Sequence, residues 1–133
     1  MARPLKQGLD YYPLDQGWRN DPKVMAMRHR FGTPAALAFY LTIIDICYGE
    51  PDGRLDISSG EITVMLAADI GIDEQQFETM MEFALKVKLF DQQAYANGYL
   101  TSNGIQKRAS RVWEKRSRER ERYKAETDVP AEL

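Results

Sequence analysis

The densest chemistry in this sequence lies near its C-terminus, in Lys107, Arg108, Arg111, Lys115, Arg118 and Arg122. At about 100° per residue, Arg108, Arg111, Lys115, Arg118 and Arg122 fall within an arc of roughly 80° on a helix. Ile105, Ala109, Val112, Trp113 and Tyr123 occupy the adjoining face. A row of guanidinium and ammonium groups neutralises phosphates and releases their counterions, which suits a polyanion and makes binding depend steeply on salt. Two other readings stand beside it: a solvated helix held by pairs such as Glu114 with Arg118, and a coiled-coil seam, which the short apolar run disfavours. Between Trp113 and Tyr123 there is no large apolar residue, so the first half of the helix should dock and the second should project.

Side chains suited to catalysis are scarce. His29, the single histidine, stands between Arg28 and Arg30 with no partner pattern, so it reads as a solvated residue or a phosphate contact rather than a base. Cys47, the single cysteine, lies in the most apolar stretch and reads as a small buried hydrophobe. One Cys and one His exclude an internal disulfide and leave no zinc-ligand set, and a reducing, cytoplasmic setting fits. Gly49, Gly53 and Gly60 fit turns or helix ends rather than a phosphate-cradling loop. The expectation is no enzyme, no metal and no cofactor. Asp45 is the oddity of the apolar stretch: it either pairs with a basic residue of a neighbouring element or lines a subunit contact.

The elements that must position these groups are well signposted. A chain of 133 residues with 44% hydrophobic content makes one small domain, and the apolar run from Pro34 to Tyr48 is too short to span a membrane. Pro4, Gly8, Pro13 and Gly17 make the first twenty residues an irregular arm, with a short extended piece near Leu9 to Tyr12. Asp21-Pro22 caps a helix that Gly32 ends, and Thr33-Pro34 caps the next, which runs to Gly49 and is apolar on nearly every side. After a turn at Pro51-Asp52-Gly53, Arg54 to Ile57 allow a short strand. Ser58-x-x-Glu61 and Asp73-x-x-Gln76 are two capping boxes, which start helices from about Ser59 to Ile70 and after Asp73. Asn97-Gly98, between Val87–Asp91 and Tyr99–Thr101, signals a hairpin, and Ser102 caps a last helix from about Asn103 to Ala125. Met25, Met27, Met65, Met80 and Met81 read as core filler.

The junction Leu66 to Asp73 has the helix-turn-helix pattern, with small Ala67 where the helices approach and Gly71 at the left-handed turn. Ile72, Phe77 and Met80 pack the second helix. Together with the strand before it and the hairpin after it, this is the element order of a winged helix. The would-be recognition helix, however, exposes Asp73, Glu74, Glu78 and Glu82 against Lys86 alone. Those carboxylates would meet phosphates of like charge, so groove reading by Gln75, Gln76 and Thr79 is disfavoured. The charge is ordered along the chain: −5 over residues 1–106, +6 over 107–124 and −3 over 125–133, for a net −2. Any polyanion is therefore expected on the terminal helix rather than on the globule.

In the arm, Arg3 and Lys6 could hold a nucleic-acid backbone, while Tyr11, Tyr12 and Trp18 either stack on bases or cover the core, the latter being preferred. The opening Arg3-Pro4-x-Lys6-x-Gly8-Leu9-Asp10-Tyr11-Tyr12-Pro13-Leu14-Asp15, with Gly104-Ile105-Gln106-Lys107-Arg108 after the hairpin, resembles the N-terminal domain of phage replisome organisers, a DnaD-like winged-helix family. Over residues 3 to 115 the resemblance implies a winged helix that binds origin DNA or assembles the replisome, without catalysis. Such proteins often carry a further helical C-terminal domain, so a chain ending at Leu133 is either a piece of a longer protein or a short stand-alone member.

The expected architecture is thus mainly α with a small β-wing. It comprises an arm over residues 1–20, a winged-helix domain over 21–101, a basic helix over 102–125 and a disordered acidic tail over 126–133. The expected function is DNA binding, double- or single-stranded, through Arg3, Lys6, Lys107, Arg108, Arg111, Lys115, Arg118 and Arg122, with the wing from Asp91 to Tyr99 near the duplex. Replisome or host proteins and a homodimer are further expected partners, and a membrane is not. The alternative is a protein-interaction module, such as an adaptor, an oligomeriser or a phage-encoded inhibitor of a host nucleic-acid machine, acting through Glu74, Glu78 and Glu82.

Overall fold

The computed structural model describes residues 9, 11, 12 and 14–127. Arg3, Lys6 and the tail beyond Thr127 lie outside these residues, so the expectations placed on them lie outside too. Among the described residues there are six α-helices, a 3-10 turn at Trp18–Asn20 and one two-stranded sheet.

Helix α1, Pro22–Phe31, starts where its sequence says: Asp21 Oδ1 accepts the Lys23 amide at 2.9 Å, and Pro22 fills the first turn. Helix α2, Thr33–Gly49, corrects the expected cap. Gly32 is the N-cap and makes no side-chain bond, while Thr33 Oγ1 accepts Arg28 Nε at 3.4 Å instead. As its all-round apolarity requires, α2 is the centre of the core, with Phe39, Ile43 and Cys47 at 0% exposure. Phe39 meets the Phe77 and Phe90 rings at 5.7 and 6.1 Å between centroids.

Strand β1, Leu55–Asp56, leads into α3, Gly60–Ile70. The capping box expected at Ser58 does not form. Ser59 is the N-cap, without a side-chain bond, and the Ser58 amide donates to Asp56 Oδ1 at 2.9 Å. Hydrogen bonds from the Ser58 side chain and amide hold the Asp56 carboxyl below its usual range. A short Asx link competed for Ser58 and won. At the end of α3, Gly71 has φ 90°, and its amide and that of Ile72 both reach the Ala67 carbonyl, at 2.9 and 3.0 Å. This left-handed closure is cheap only for glycine. Helix α4, Glu74–Lys86, is capped as expected by Asp73 Oδ1 on the Gln76 amide at 2.7 Å, and it buries Phe77, Met80, Met81 and Ala84.

The hairpin expected across Asp91 to Tyr99 is replaced by another arrangement. Asp91 Oδ1 accepts the amides of Gln93 and Ala94, at 2.9 and 3.0 Å, and starts a short helix, α5, Gln92–Ala96. Val87 to Phe90 form no strand, although the Asp91 amide still reaches the Thr101 carbonyl at 2.9 Å. Strand β2, Tyr99–Leu100, pairs antiparallel with β1, with Leu55 opposite Leu100 and Asp56 opposite Tyr99. Arg54 lies 4.2 Å from the centre of the Tyr99 ring. The helix-cap chemistry of Asp91 therefore outweighed the Asn97-Gly98 turn signal.

Helix α6, Asn103–Thr127, opens with the Ser102 hydroxyl accepting the Ile105 amide at 3.1 Å and extends slightly past the expected Ala125. Met27, Met80 and Met81 fill the core, but Met25 and Met65 are 37% and 63% exposed, contrary to expectation. Among the described residues no helix is long and apolar enough to cross a membrane.

Candidate nucleic-acid interface

Helix α6 divides as its apolar pattern predicts. Ile105 and Ala109 are buried, Val112 and Trp113 are half-buried against the core, and from Glu114 to Lys124 every residue is exposed except half-buried Arg116. Gln106 anchors the docked half: its Nε2 donates to the Asp52 carbonyl and to Thr101 Oγ1, both at 3.0 Å. The Thr101 hydroxyl in turn donates to the Gly53 carbonyl at 2.8 Å. Lys107, Arg111, Lys115, Arg118 and Arg122 are all exposed and share one face of the helix. Among the described residues none of the five is paired with a carboxylate; the Glu114–Arg118 pair that would make α6 a self-compensated helix does not form.

Arg108 has a different role from the other five. One of its guanidinium nitrogens donates to the Tyr48 hydroxyl at 3.0 Å and the other to Asp15 Oδ2 at 3.3 Å. Burial works to lower its pKa, but the bonds and attraction from Tyr48 and Asp15 outweigh it and hold the group above its ordinary value. The guanidinium folds back over the first turn of α6, where a Cβ on Gly104 would stand 3.1 Å from it. Arg108 therefore fixes the angle at which α6 leaves the globule, and the fork it would have offered a phosphate is directed inward.

The arm supports the same joint. Tyr12 stacks on Tyr48 with ring centres 4.5 Å apart and donates its hydroxyl to Asp45 at 3.2 Å. Trp18 stacks on Tyr40 at 5.6 Å, and the Leu9 amide donates to the Tyr48 carbonyl at 3.1 Å. Tyr12 and Trp18 thus cover the core, whereas Tyr11 is 89% exposed and remains available for stacking. Asp45 is exposed, and within the chain it accepts from a tyrosine rather than from the basic residue that was one of its two expected roles. The two sequence motifs at the ends of the chain meet here, through Asp15 and Arg108. Asp15, named only as the last residue of the arm motif, and Tyr48 were not expected to bind Arg108, because nothing local marks an acceptor for a guanidinium so far along the chain.

A cleft of about 350 Å³ lies beside this joint, lined among others by Asp15, Lys23, Tyr40, Lys88, Asn103 and Arg108. His29 is exposed on α1, and its neighbour Arg30 lies 4.7 Å from the centre of the Phe83 ring. Cys47 donates its thiol to the Leu100 carbonyl at 3.2 Å, and burial pushes its pKa up to about 12, so it is an inert core group. On α4, Glu74, Glu78 and Glu82 are exposed and, among the described residues, unpaired with any cation.

No solved structure matches this chain. It is 30% identical over 109 residues to the phage-related protein Lin1244/Lin1753 of Listeria innocua serovar 6a, an alignment that covers 81% of this chain. The aligned stretch amounts to 35% of that relative's own length. The family model described as Lin1244/Lin1753-like, N-terminal, matches residues 11–105, most of the globule and the start of α6, and the chain belongs to this phage-related family.

Proposed function

We propose that this chain is a non-enzymatic DNA-binding module of phage replication, a winged-helix variant with α5 in place of the wing hairpin, which holds the phosphate backbone along α6. The observation that carries the reading is the uncompensated cationic face: Lys107, Arg111, Lys115, Arg118 and Arg122 are exposed together, with no carboxylate partner among the described residues. From Lys107 to Arg122 the stripe runs roughly 22 Å at 1.5 Å per residue, long enough to follow several phosphates of a duplex. Helix α4 keeps its acidic face away from DNA, and Arg108 sets the direction of α6. The replication setting rests on the resemblance carried by residues 3–15 and 104–108. The phage-related name of the Listeria relative supports the phage part of the reading alone.

Mobility-shift titrations with random-sequence duplex and single-stranded DNA at low salt test the proposal. A shift that disappears as salt rises is expected, and the same assay reads the strand preference. No shift with either DNA at micromolar protein would remove DNA as the ligand.

A further inference from the structure

The chain carries two charged rows of opposite sign that, among the described residues, are not paired with each other. On α4, Glu74, Glu78 and Glu82 repeat every four residues, and on α6 so do Lys107, Arg111 and Lys115. At 1.5 Å per residue both rows advance by about 6 Å per charge, so they match in spacing and in drift around the helix. All six side chains are exposed, and among the described residues none has an ion-pair partner. Within one molecule α6 packs on α2, whereas α4 packs on α1 and α3, and the acidic row is exposed to solvent. The whole chain has a net charge of only −2, so two copies repel each other weakly while presenting strong patches of opposite sign.

We infer that the acidic row of α4 is a docking surface for α6 of a second copy of this chain. The exchange is reciprocal: each copy offers one row of each sign, and with both rows turned to one two-fold axis the contact forms twice and the pair closes as a dimer. The carboxylates occupy the positions along α6 that phosphates would take, so the dimer and DNA compete for the same cations. The inference rests on the charge rows and holds whether or not the natural polyanion is DNA.

Sedimentation velocity of the full chain over a range of concentrations tests it. Dimers are expected at low salt, with association weakened at least tenfold at about 1 M NaCl, where the screening length is roughly 3 Å. One variant carries Glu74→Lys, Glu78→Lys and Glu82→Lys, and a second carries Lys107→Glu, Arg111→Glu and Lys115→Glu. Each alone should be monomeric at low salt, and mixing the two should restore a one-to-one complex. All six positions are exposed, and thermal melts confirm folding. The single changes Glu78→Lys and Arg111→Glu repeat the cycle with smaller shifts should a triple variant fail to fold. A monomeric parent, association that survives high salt, or a mixture of folded variants that does not pair overturns the interface. Mobility shifts on the first variant keep the two proposals apart, since DNA binding by α6 does not need Glu74, Glu78 or Glu82.

Discussion

Replacing Arg111, Lys115 and Arg118 together by glutamine should change the salt dependence of DNA binding by a calculable amount. Glutamine keeps nearly the same helix propensity, so α6 should persist and only charge is removed. With the five exposed cations of the stripe each neutralising one duplex phosphate, the slope of log K against log salt is about −4.5. Between 50 and 200 mM salt that slope costs roughly 500-fold in affinity. With three cations gone the slope falls to about −1.8, and the same change of salt costs only roughly 12-fold. Fluorescence anisotropy of a labelled random-sequence duplex, titrated at four or five salt concentrations, gives both slopes. Circular dichroism of the variant checks that its helix content is kept. A variant whose slope equals that of the parent would refute the assignment of phosphate contacts to α6. So would a parent slope shallower than about −1, because fewer than two phosphates would then be engaged.

Other expectations concern the frame that holds this helix. Arg108→Ala removes the donors to Tyr48 and Asp15 and should cost about 1–2 kcal/mol in urea unfolding, at the low end because Asp15 is largely exposed. Gly71→Ala forces a Cβ into φ 90° at the α3–α4 turn and should lower stability by about 1–2 kcal/mol. Conversely, Lys88 holds φ 65° just after α4, so Lys88→Gly should raise stability by about 0.5–1 kcal/mol in the same assay. The Cys47 thiol, raised from 9.0 to about 12, should be silent to a thiol reagent in the folded protein and react on unfolding. Below pH 9 both states keep the thiol proton, while between pH 9 and 12 only the unfolded chain loses it. Stability should therefore fall across that window by up to about 4 kcal/mol, and burial of Tyr40 and Tyr48 acts in the same direction. Unfolding midpoints that stay flat up to pH 11 would count against a buried Cys47.

The parts of the fold that could be read in advance are those decided by neighbours in sequence. Asp21, Asp73 and Ser102 cap their helices through amides two or three residues away, and Gly71 closes α3 on carbonyls of the preceding turn. Where two local partners competed, the reading failed. Ser58 went to the Asp56 link, Thr33 took Arg28, and Asp91 capped α5 instead of ending a hairpin strand. These alternatives differ by amounts comparable to a single hydrogen bond, and propensity alone does not rank differences that small. The candidate site divides in the same way. That α6 is basic, docks by its first half and projects by its second followed from periodicity.

From the sequence alone came the order of charge along the chain and the apolar stripe that turns Lys107, Arg111, Lys115, Arg118 and Arg122 outward, because both depend only on residue type and helical period. Tertiary structure decided which cation is not part of that surface. Arg108 belongs to the stripe by spacing, but its guanidinium is held by Tyr48 and Asp15, 60 and 93 residues distant in sequence. A guanidinium next to a desolvated hydroxyl and a carboxylate binds them in preference to water, and only folding brings those acceptors to it.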